Sequence, residues 1–307
     1  MGGDKPEYWD ALERGGMTAV LVDVPWIDDG FRDAAINFAS WHERIESSKG
    51  RAVIARRASD ISAAKSAGRV AVVFTAQTPT IIDDDLSLLR VLHELGLRVL
   101  QMSYQRRNLL ADGCGESQDG GISDFGRQAI DEMNRLGIAV DLSHASDRTM
   151  LETIEHSRKP VMFSHSNARS LVPHRRNVPD DTLRRLADRG GLCCVSAYSD
   201  FLAANGSATG TTLAQFAAMA RHVTNIVGID HVGFGLDSGE SRTEAEIQFI
   251  GGVIGGGTDI SKRYALTSRA EIHGLTRALL EAGFTEGETE KVLGLNTLRF
   301  FQDVWGT

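Results

Sequence analysis

Seven short, apolar, β-rich segments alternate with longer amphipathic segments through most of the chain. These strand candidates occupy residues 18–24, 70–76, 98–104, 138–144, 160–166, 191–197 and 231–237. Apolar strands that alternate with helices are typical of a parallel sheet covered by helices. No G-x-G-x-x-G segment follows an early strand, so the pattern favours an α/β fold of the (β/α)8 TIM-type barrel class over a dinucleotide-binding sheet.

The amphipathic segments support this interpretation. In residues 123–137, apolar residues recur at helical spacing behind a cap at Ser123, and Gly137 marks the stop. Residues 84–96 and 180–191 follow the same plan. No linker interrupts the alternation, so we expect a single barrel domain over residues 1–307. A helical pattern stands directly before Thr18, which predicts that the first barrel strand is short or missing.

Composition and charge exclude several classes of function. The formal net charge of −8 argues against a nucleic-acid partner, which needs a basic face. No apolar run reaches the roughly 20 residues of a membrane-spanning helix. The three cysteines are an odd number and two are adjacent in an apolar run, which indicates reduced thiols. We therefore expect a cytoplasmic protein with neither nucleic acid nor membrane as a partner.

Two of the predicted strands end on the same Ser-His dipeptide. The stretch GIAVDLSHAS ends one strand at His144, and PVMFSHSNA ends another at His165. Active sites of (β/α) barrels gather at the C-terminal ends of the strands. Other polar residues at or just beyond such ends are Gln77, Tyr104 and Asp237. Two imidazoles and a carboxylate can hold a divalent metal such as zinc, which activates a bound water.

At these residues the sequence resembles the membrane (renal-type) dipeptidase family, peptidase family M19. The segments that carry the resemblance are 84–104, 121–146, 159–171, 174–191, 228–239 and 292–301. The resemblance runs from about Gly15 to Trp305. It implies a (β/α)8 barrel of the amidohydrolase type and a two-zinc centre that hydrolyses dipeptides.

The resemblance also implies roles for individual residues. His144 and His165 match the two histidine ligands of one zinc. Arg176 and Asn177, in the segment RRNVPDD, match the substrate-binding segment, in which the arginine holds the substrate carboxylate. A guanidinium suits this task because it is always charged and binds two oxygens at once. Asp237 matches the acid that takes a proton from the water and passes it to the leaving amine.

Other positions depart from the family pattern. The family's first strand ends in a His-x-Asp pair that binds the other zinc, and no such pair occurs upstream of Thr18. The bridging glutamate falls on Gln77, a doubtful ligand because a neutral amide brings no charge to offset the dication. The substrate-contacting histidine falls on Tyr104, a candidate catalytic and substrate-binding residue. In these features the chain is similar to a divergent bacterial branch of the family.

These departures predict one zinc, with two possible. Glu116 and Asp119, in the loop LLADGCGESQDGG, are alternative donors of a carboxylate. Three functions remain open. The first is a zinc metallopeptidase that cleaves a small dipeptide or dipeptide-like amide, a homodimer like many members of the family. The second is altered chemistry on a modified amino-acid derivative, and the third is a non-catalytic binding protein that has lost one or both metals.

Overall fold

The computed structural model describes residues 6–237, 263–266 and 268–306. The chain divides into two compact units. The N-terminal unit consists mainly of residues 17–162, with residues 6–9 and 298–306, and the C-terminal unit mainly of the described residues from 163 to 297, with residues 10–16. The prediction of a single domain over 1–307 stays a prediction. Residues 238 and 239, at the end of a segment that carries the family resemblance, lie outside the described residues.

The N-terminal unit is built on parallel strands. They are β1 (Ala19–Asp23), β2 (Ala52–Ile54), β3 (Val70–Ala76), β4 (Leu97–Gln101) and β5 (Ala139–Asp141), and β6 (Met162–Phe163) begins in this unit. Strand β3 pairs with β1 on one side; its first residues also pair with β2 and its last with β4. Strand β5 pairs with β4 and with β6, where Asp141 lies opposite Met162.

No residue from 6 to 18 forms a strand, as the prediction of a short or missing first barrel strand expects. The chain leaves helix α1 (Pro6–Arg14) and enters β1, which has five residues. The strand that sequence patterns did not reveal is β2, which comes between β1 and β3 along the chain. It has three residues, which pair with Val70–Val72. Three residues offer too few alternating positions for a strand to be recognised from its hydrophobic period.

The helices of the N-terminal unit follow the sequence signals. They are α2 (Phe31–Ser47), α3 (Ala58–Ser66), α4 (Ser87–Leu95), α5 (Asp124–Leu136) and α6 (Asp147–His156). The Ser123 hydroxyl accepts a hydrogen bond from the Gly126 amide at the start of α5, and Gly137 ends the helix at φ 78°. Strand β3 is buried along its whole length, which explains its unbroken apolar sequence.

The C-terminal unit contains the parallel pair β7 (Leu192–Ser196) and β8 (Val232–Gly235). Its helices are α7 (Asp180–Asp188), α8 (Ser199–Leu202), α9 (Gly206–Thr209), α10 (Leu213–Val227), α11 (His273–Glu281) and α12 (Glu286–Glu290). Helix α13 (Asn296–Trp305) begins in this unit, and its residues from 298 onward belong to the N-terminal unit. Cys193 and Cys194 are buried in β7, and all three cysteines are free thiols. Among the described helices, none combines the length and apolar character needed to cross a bilayer.

Candidate active site

The ends of β1 and β3 form a closed hydrogen-bonded group. Asp23, the last residue of β1, lies opposite Thr75 in the strand register. The Thr75 hydroxyl donates to one carboxylate oxygen of Asp23 at 2.5 Å. The side-chain amide of Gln77, just after β3, donates to the other oxygen at 2.8 Å. Both carboxylate oxygens therefore accept a hydrogen bond from a neighbouring strand end.

Sequence reasoning missed Asp23. The signal was present, because the strand candidate 18–24 carries an acid near its end. However, the search was for a His-x-Asp pair upstream of Thr18, and Asp23 was not weighed as a site residue. Leu21 and Asp23 share one face of β1 because side chains alternate along a strand. Asp23 lies outside the segments that carry the family resemblance, so that pattern gave no signal for it.

His144 lies three residues beyond β5 and is held in an unusual backbone conformation. Its φ is +67°, in the left-handed region that non-glycine residues rarely occupy, and such strain is typical of functional sites. The buried imidazole stacks on the Tyr104 ring with centroids 4.2 Å apart. Its carbonyl oxygen accepts a hydrogen bond from the Cys114 amide at 2.8 Å. The structure therefore brings together two of the predicted site residues, Tyr104 and His144.

The loop after β4 supports His144 through a buried carboxylate. Asp112 accepts hydrogen bonds from Nε and Nη2 of Arg107 at 2.5 and 2.7 Å, and from the Gly120 amide at 2.6 Å. The hydrogen bonds from Arg107 hold the pKa of Asp112 below its usual value. The Asp112 carbonyl accepts from the Ser146 amide, two residues after His144. The loop is thereby fastened to the segment that carries the histidine.

The two alternative acids of this loop have structural partners. Glu116 accepts a hydrogen bond from the Arg107 amide at 2.8 Å. Asp119 accepts from the Ser146 hydroxyl at 2.5 Å and from the Arg148 amide at 2.8 Å, at the start of α6. Both carboxylates therefore shape the loop and the helix start, and their role as alternative metal donors stays a prediction.

In the C-terminal unit, His165 follows β6 by two residues and is buried. Its Nδ1 lies 2.7 Å from the Ser164 hydroxyl. In the tautomer whose Nδ1 donates to Ser164, Nε2 carries the lone pair that a metal ligand needs. The backbone here leaves no spare room, since a Cβ added at Gly235 of β8 would lie 2.0 Å from the Ser164 carbonyl oxygen. Main-chain packing thus fixes the position of this histidine.

Arg176 is almost completely buried, with 1% of its surface exposed. Its Nη2 donates to the His165 carbonyl at 3.1 Å, and its guanidinium carbon lies 5.0 Å from the centre of the Phe201 ring. Nε has no hydrogen-bond partner among the described residues. Asn177 is buried as well, and its side-chain nitrogen donates to the carbonyls of Val172 and Phe201. Asn177 thereby holds the loop that presents Arg176, and its predicted contact with substrate stays a prediction.

Asp237 lies two residues beyond β8, as the sequence pattern predicts. It is half-buried and its φ is +50°, a second left-handed residue at a strand end. Burial raises the pKa of Tyr198, and the negative charge of Asp237 adds to this effect. Asp237 is therefore near Tyr198 within the C-terminal unit.

The chemistry of these donor sets decides which metal position fits. In the described part of the chain, no group of three or more His, Cys, Asp or Glu side chains is arranged to hold a metal ion. The end of β1 and β3 does not fit a zinc, because both oxygens of Asp23 accept hydrogen bonds and Gln77 offers only a neutral amide. The imidazoles of His144 and His165 are ligands of the kind that zinc accepts.

Comparison with known proteins gives the family. The profile described as membrane dipeptidase (peptidase family M19) matches residues 28–306. Dipeptidase tcpJ of Claviceps purpurea is 30% identical over 93% of this chain, and dipeptidase verJ of Clonostachys rogersoniana is 31% identical over 97%. The chain spans 65% of the length of the first relative and 72% of the second.

Solved structures agree with this result. An amidohydrolase from Pseudomonas aeruginosa superposes with a TM-score of 0.92 at 32% identity, covering 98% of this chain and 93% of the other. A metallo peptidase from Rhodobacter sphaeroides, liganded with a phosphinate mimic of the dipeptide L-Ala-D-Ala, has a TM-score of 0.80 at 20% identity over 96% and 89% of the two chains. These matches confirm the predicted fold class, an α/β barrel of the amidohydrolase type. The chain belongs to the membrane dipeptidase family, peptidase family M19.

Proposed function

We propose that this protein is a metal-dependent hydrolase of a small dipeptide or dipeptide-like amide, with one zinc bound by His144 and His165. One observation carries the proposal. Strands β5 and β6 pair with Asp141 opposite Met162, and each histidine follows its paired residue by three positions. Two imidazoles in equivalent register at the ends of paired strands are a donor set for a divalent cation.

The other residues have roles that follow from their chemistry. The bound metal would supply a water of lowered pKa. Asp237 would accept the proton of the attacking water and return it to the leaving amine nitrogen. Arg176 would bind the substrate carboxylate through its fork of N–H groups. Tyr104 would orient His144, on whose ring it stacks.

The zinc identity, the dipeptide-like substrate, the homodimer and the cytoplasmic location all belong to this proposal. One observation favours a second candidate. Gln77, which the resemblance puts in place of the bridging glutamate, donates its side-chain amide to Asp23. This contact favours a hydrolase with a single metal, or the same scaffold with altered chemistry on a modified amino-acid derivative.

Elemental analysis of the purified protein tests the proposal. We expect about one zinc per chain after equilibration with zinc and dialysis, and cleavage of at least one member of a dipeptide panel. His144→Ala and His165→Ala should each remove the metal. The matched control is His222→Ala, since His222 contacts the exposed Ser170 in the C-terminal unit. Protein without stoichiometric metal that cleaves no dipeptide with added zinc would refute the proposal.

A further inference from the structure

The C-terminal unit buries a second arginine, Arg263, of which only 2% is exposed. Its carbonyl oxygen accepts a hydrogen bond from the Ser199 amide at 2.7 Å. The next residue, Tyr264, forms an antiparallel bridge with Tyr198. Main-chain contacts therefore fix Arg263 against the segment that follows β7.

The side chain of Arg263 lacks the partners that a buried cation needs. Its Nε and Nη2 are buried and have no hydrogen-bond partner among the described residues. Two acids, Asp200 and Asp237, act electrostatically on Tyr198, as Arg263 does. Asp200 uses its two oxygens to accept hydrogen bonds from the amide and the hydroxyl of Ser207, at 2.7 and 2.8 Å. Burial of a guanidinium without an anion is unfavourable, so the position calls for an anion from elsewhere.

Arg263 and Arg176 border the same aromatic cluster, formed by Tyr198, Phe201 and Tyr264. The guanidinium carbon of Arg176 lies 5.0 Å from the centre of the Phe201 ring. The Phe201 and Tyr198 rings are 4.8 Å apart, and those of Tyr198 and Tyr264 are 5.5 Å apart. The positive charge of Arg263 is close enough to Tyr198 to offset part of the rise in its pKa that burial causes. Both arginines also have a buried Nε without a partner among the described residues.

We propose that Arg263 is a second anion-binding group and that the substrate is a dicarboxylate, a dipeptide-like amide with an acidic C-terminal side chain. The inference rests on the proposed function, in which Arg176 binds the main-chain carboxylate. Arg263 then binds the side-chain carboxylate of an aspartyl or glutamyl residue. Bidentate pairing with a guanidinium discriminates a carboxylate from the amide of equal shape, which has only one acceptor oxygen and no charge.

Kinetics with an isosteric pair of substrates test this inference. We compare Ala-Glu with Ala-Gln, each with an L- or a D-configured C-terminal residue. In the wild type, kcat/KM for Ala-Glu should exceed that for Ala-Gln by at least about tenfold. Arg263→Gln should remove this preference, because kcat/KM for Ala-Glu falls at least about tenfold further than kcat/KM for Ala-Gln. Arg263→Lys, which keeps the charge, should retain part of the preference. Arg184→Gln is the control, because Arg184 is exposed and pairs with Asp181.

Equal loss for both substrates in Arg263→Gln, or a wild type without preference, would overturn the inference. A binding measurement separates this failure from failure of the proposed function. N-acetylglutamate should bind the zinc-equilibrated protein at least about tenfold more tightly than N-acetylglutamine, and Arg263→Gln should abolish the difference. If this holds while no dipeptide is cleaved, the hydrolase proposal fails and the dicarboxylate site stands. Equal binding of the two compounds contradicts the site whatever the catalytic result.

Discussion

Two strand ends of the N-terminal unit differ in how they use their polar side chains. At the end of β1 and β3, Asp23 accepts hydrogen bonds from Thr75 and Gln77. At the end of β5, the buried imidazole of His144 packs face to face with Tyr104, on a backbone held at positive φ. At the first end, hydrogen bonds from neighbouring side chains stabilise the carboxylate of Asp23. The second keeps a ligand-type side chain in a strained position.

The difference shows what each end requires of the fold. A half-buried carboxylate is stabilised when hydrogen bonds replace its water, and a hydroxyl and an amide provide them at Asp23 without a cation. The left-handed backbone of His144 costs on the order of 1 kcal/mol or more, and persists only where the surroundings impose it. The loop held by Asp112 imposes it, through the contacts that flank His144. We expect backbone strain at a functional residue such as His144. We expect a structural residue such as Asp23 to have its polar atoms hydrogen-bonded within the protein.

Paired substitutions at the two ends give the largest expected difference. His144→Ala should lower kcat/KM by at least about a thousandfold, more than the roughly 10- to 100-fold cost of losing an outer-shell partner of a metal ligand. Gln77→Ala should leave the zinc content at about one per chain. Similar losses of metal and activity in the two variants would erase the distinction between the ends.

Adding ligands at the end of β1 and β3 is the next test. Leu21→His with Gln77→Glu adds an imidazole and a carboxylate beside Asp23, on strand ends that already pair through β1 and β3. We expect the zinc content to rise from about one to about two per chain, because the position then offers three donors of the type zinc prefers. Each single variant is a control that should stay near one. A double variant that still binds one zinc would show that more than these two residues closes the position.

The support of the β5 end has a smaller, pH-dependent effect. Asp112→Asn should lower the free energy of unfolding by roughly 1–2 kcal/mol at pH 7, since it weakens hydrogen bonds to a charged group whose partner Arg107 is largely exposed. Because the folded protein lowers the pKa of Asp112, its contribution is present above the unfolded pKa of about 3.9 and is lost as the pH falls through the folded pKa.

Urea unfolding at pH 7 and at pH 3 measures this contribution. The wild type and Asp112→Asn should differ more at pH 7 than at pH 3. Asp181→Asn is the control, because Asp181 is exposed and pairs with Arg184, three residues along α7. A constant difference across the pH range would mean that the charge of Asp112 does not stabilise the loop.

Much of the fold could be predicted from the sequence because most strands and helices have local sequence signals. Runs such as Val70–Ala76 are apolar throughout, and the cap at Ser123 and the stop at Gly137 lie where the helix begins and ends. Strand β2 could not be predicted, since three residues carry no period and its pairing with β3 depends on contacts distant in sequence.

The candidate site was predictable where a residue type and a strand end coincide, as at His144, His165 and Asp237. Asp23 escaped because no family motif covers it, and its pairing with Thr75 and Gln77 depends on contacts distant in sequence. Arg263 carries no motif, and its burial without a carboxylate follows from tertiary packing alone. The stacking of Tyr104 on His144 is likewise a product of the folded loop.

The close approach of Gly235 to the Ser164 carbonyl has a consequence for genetics. A single methyl group at residue 235 would displace the turn before His165 without removing a polar atom. In a mutational screen, substitutions of this glycine would therefore reduce activity as substitutions of a catalytic residue do, although glycine has no side chain that could take part in the reaction.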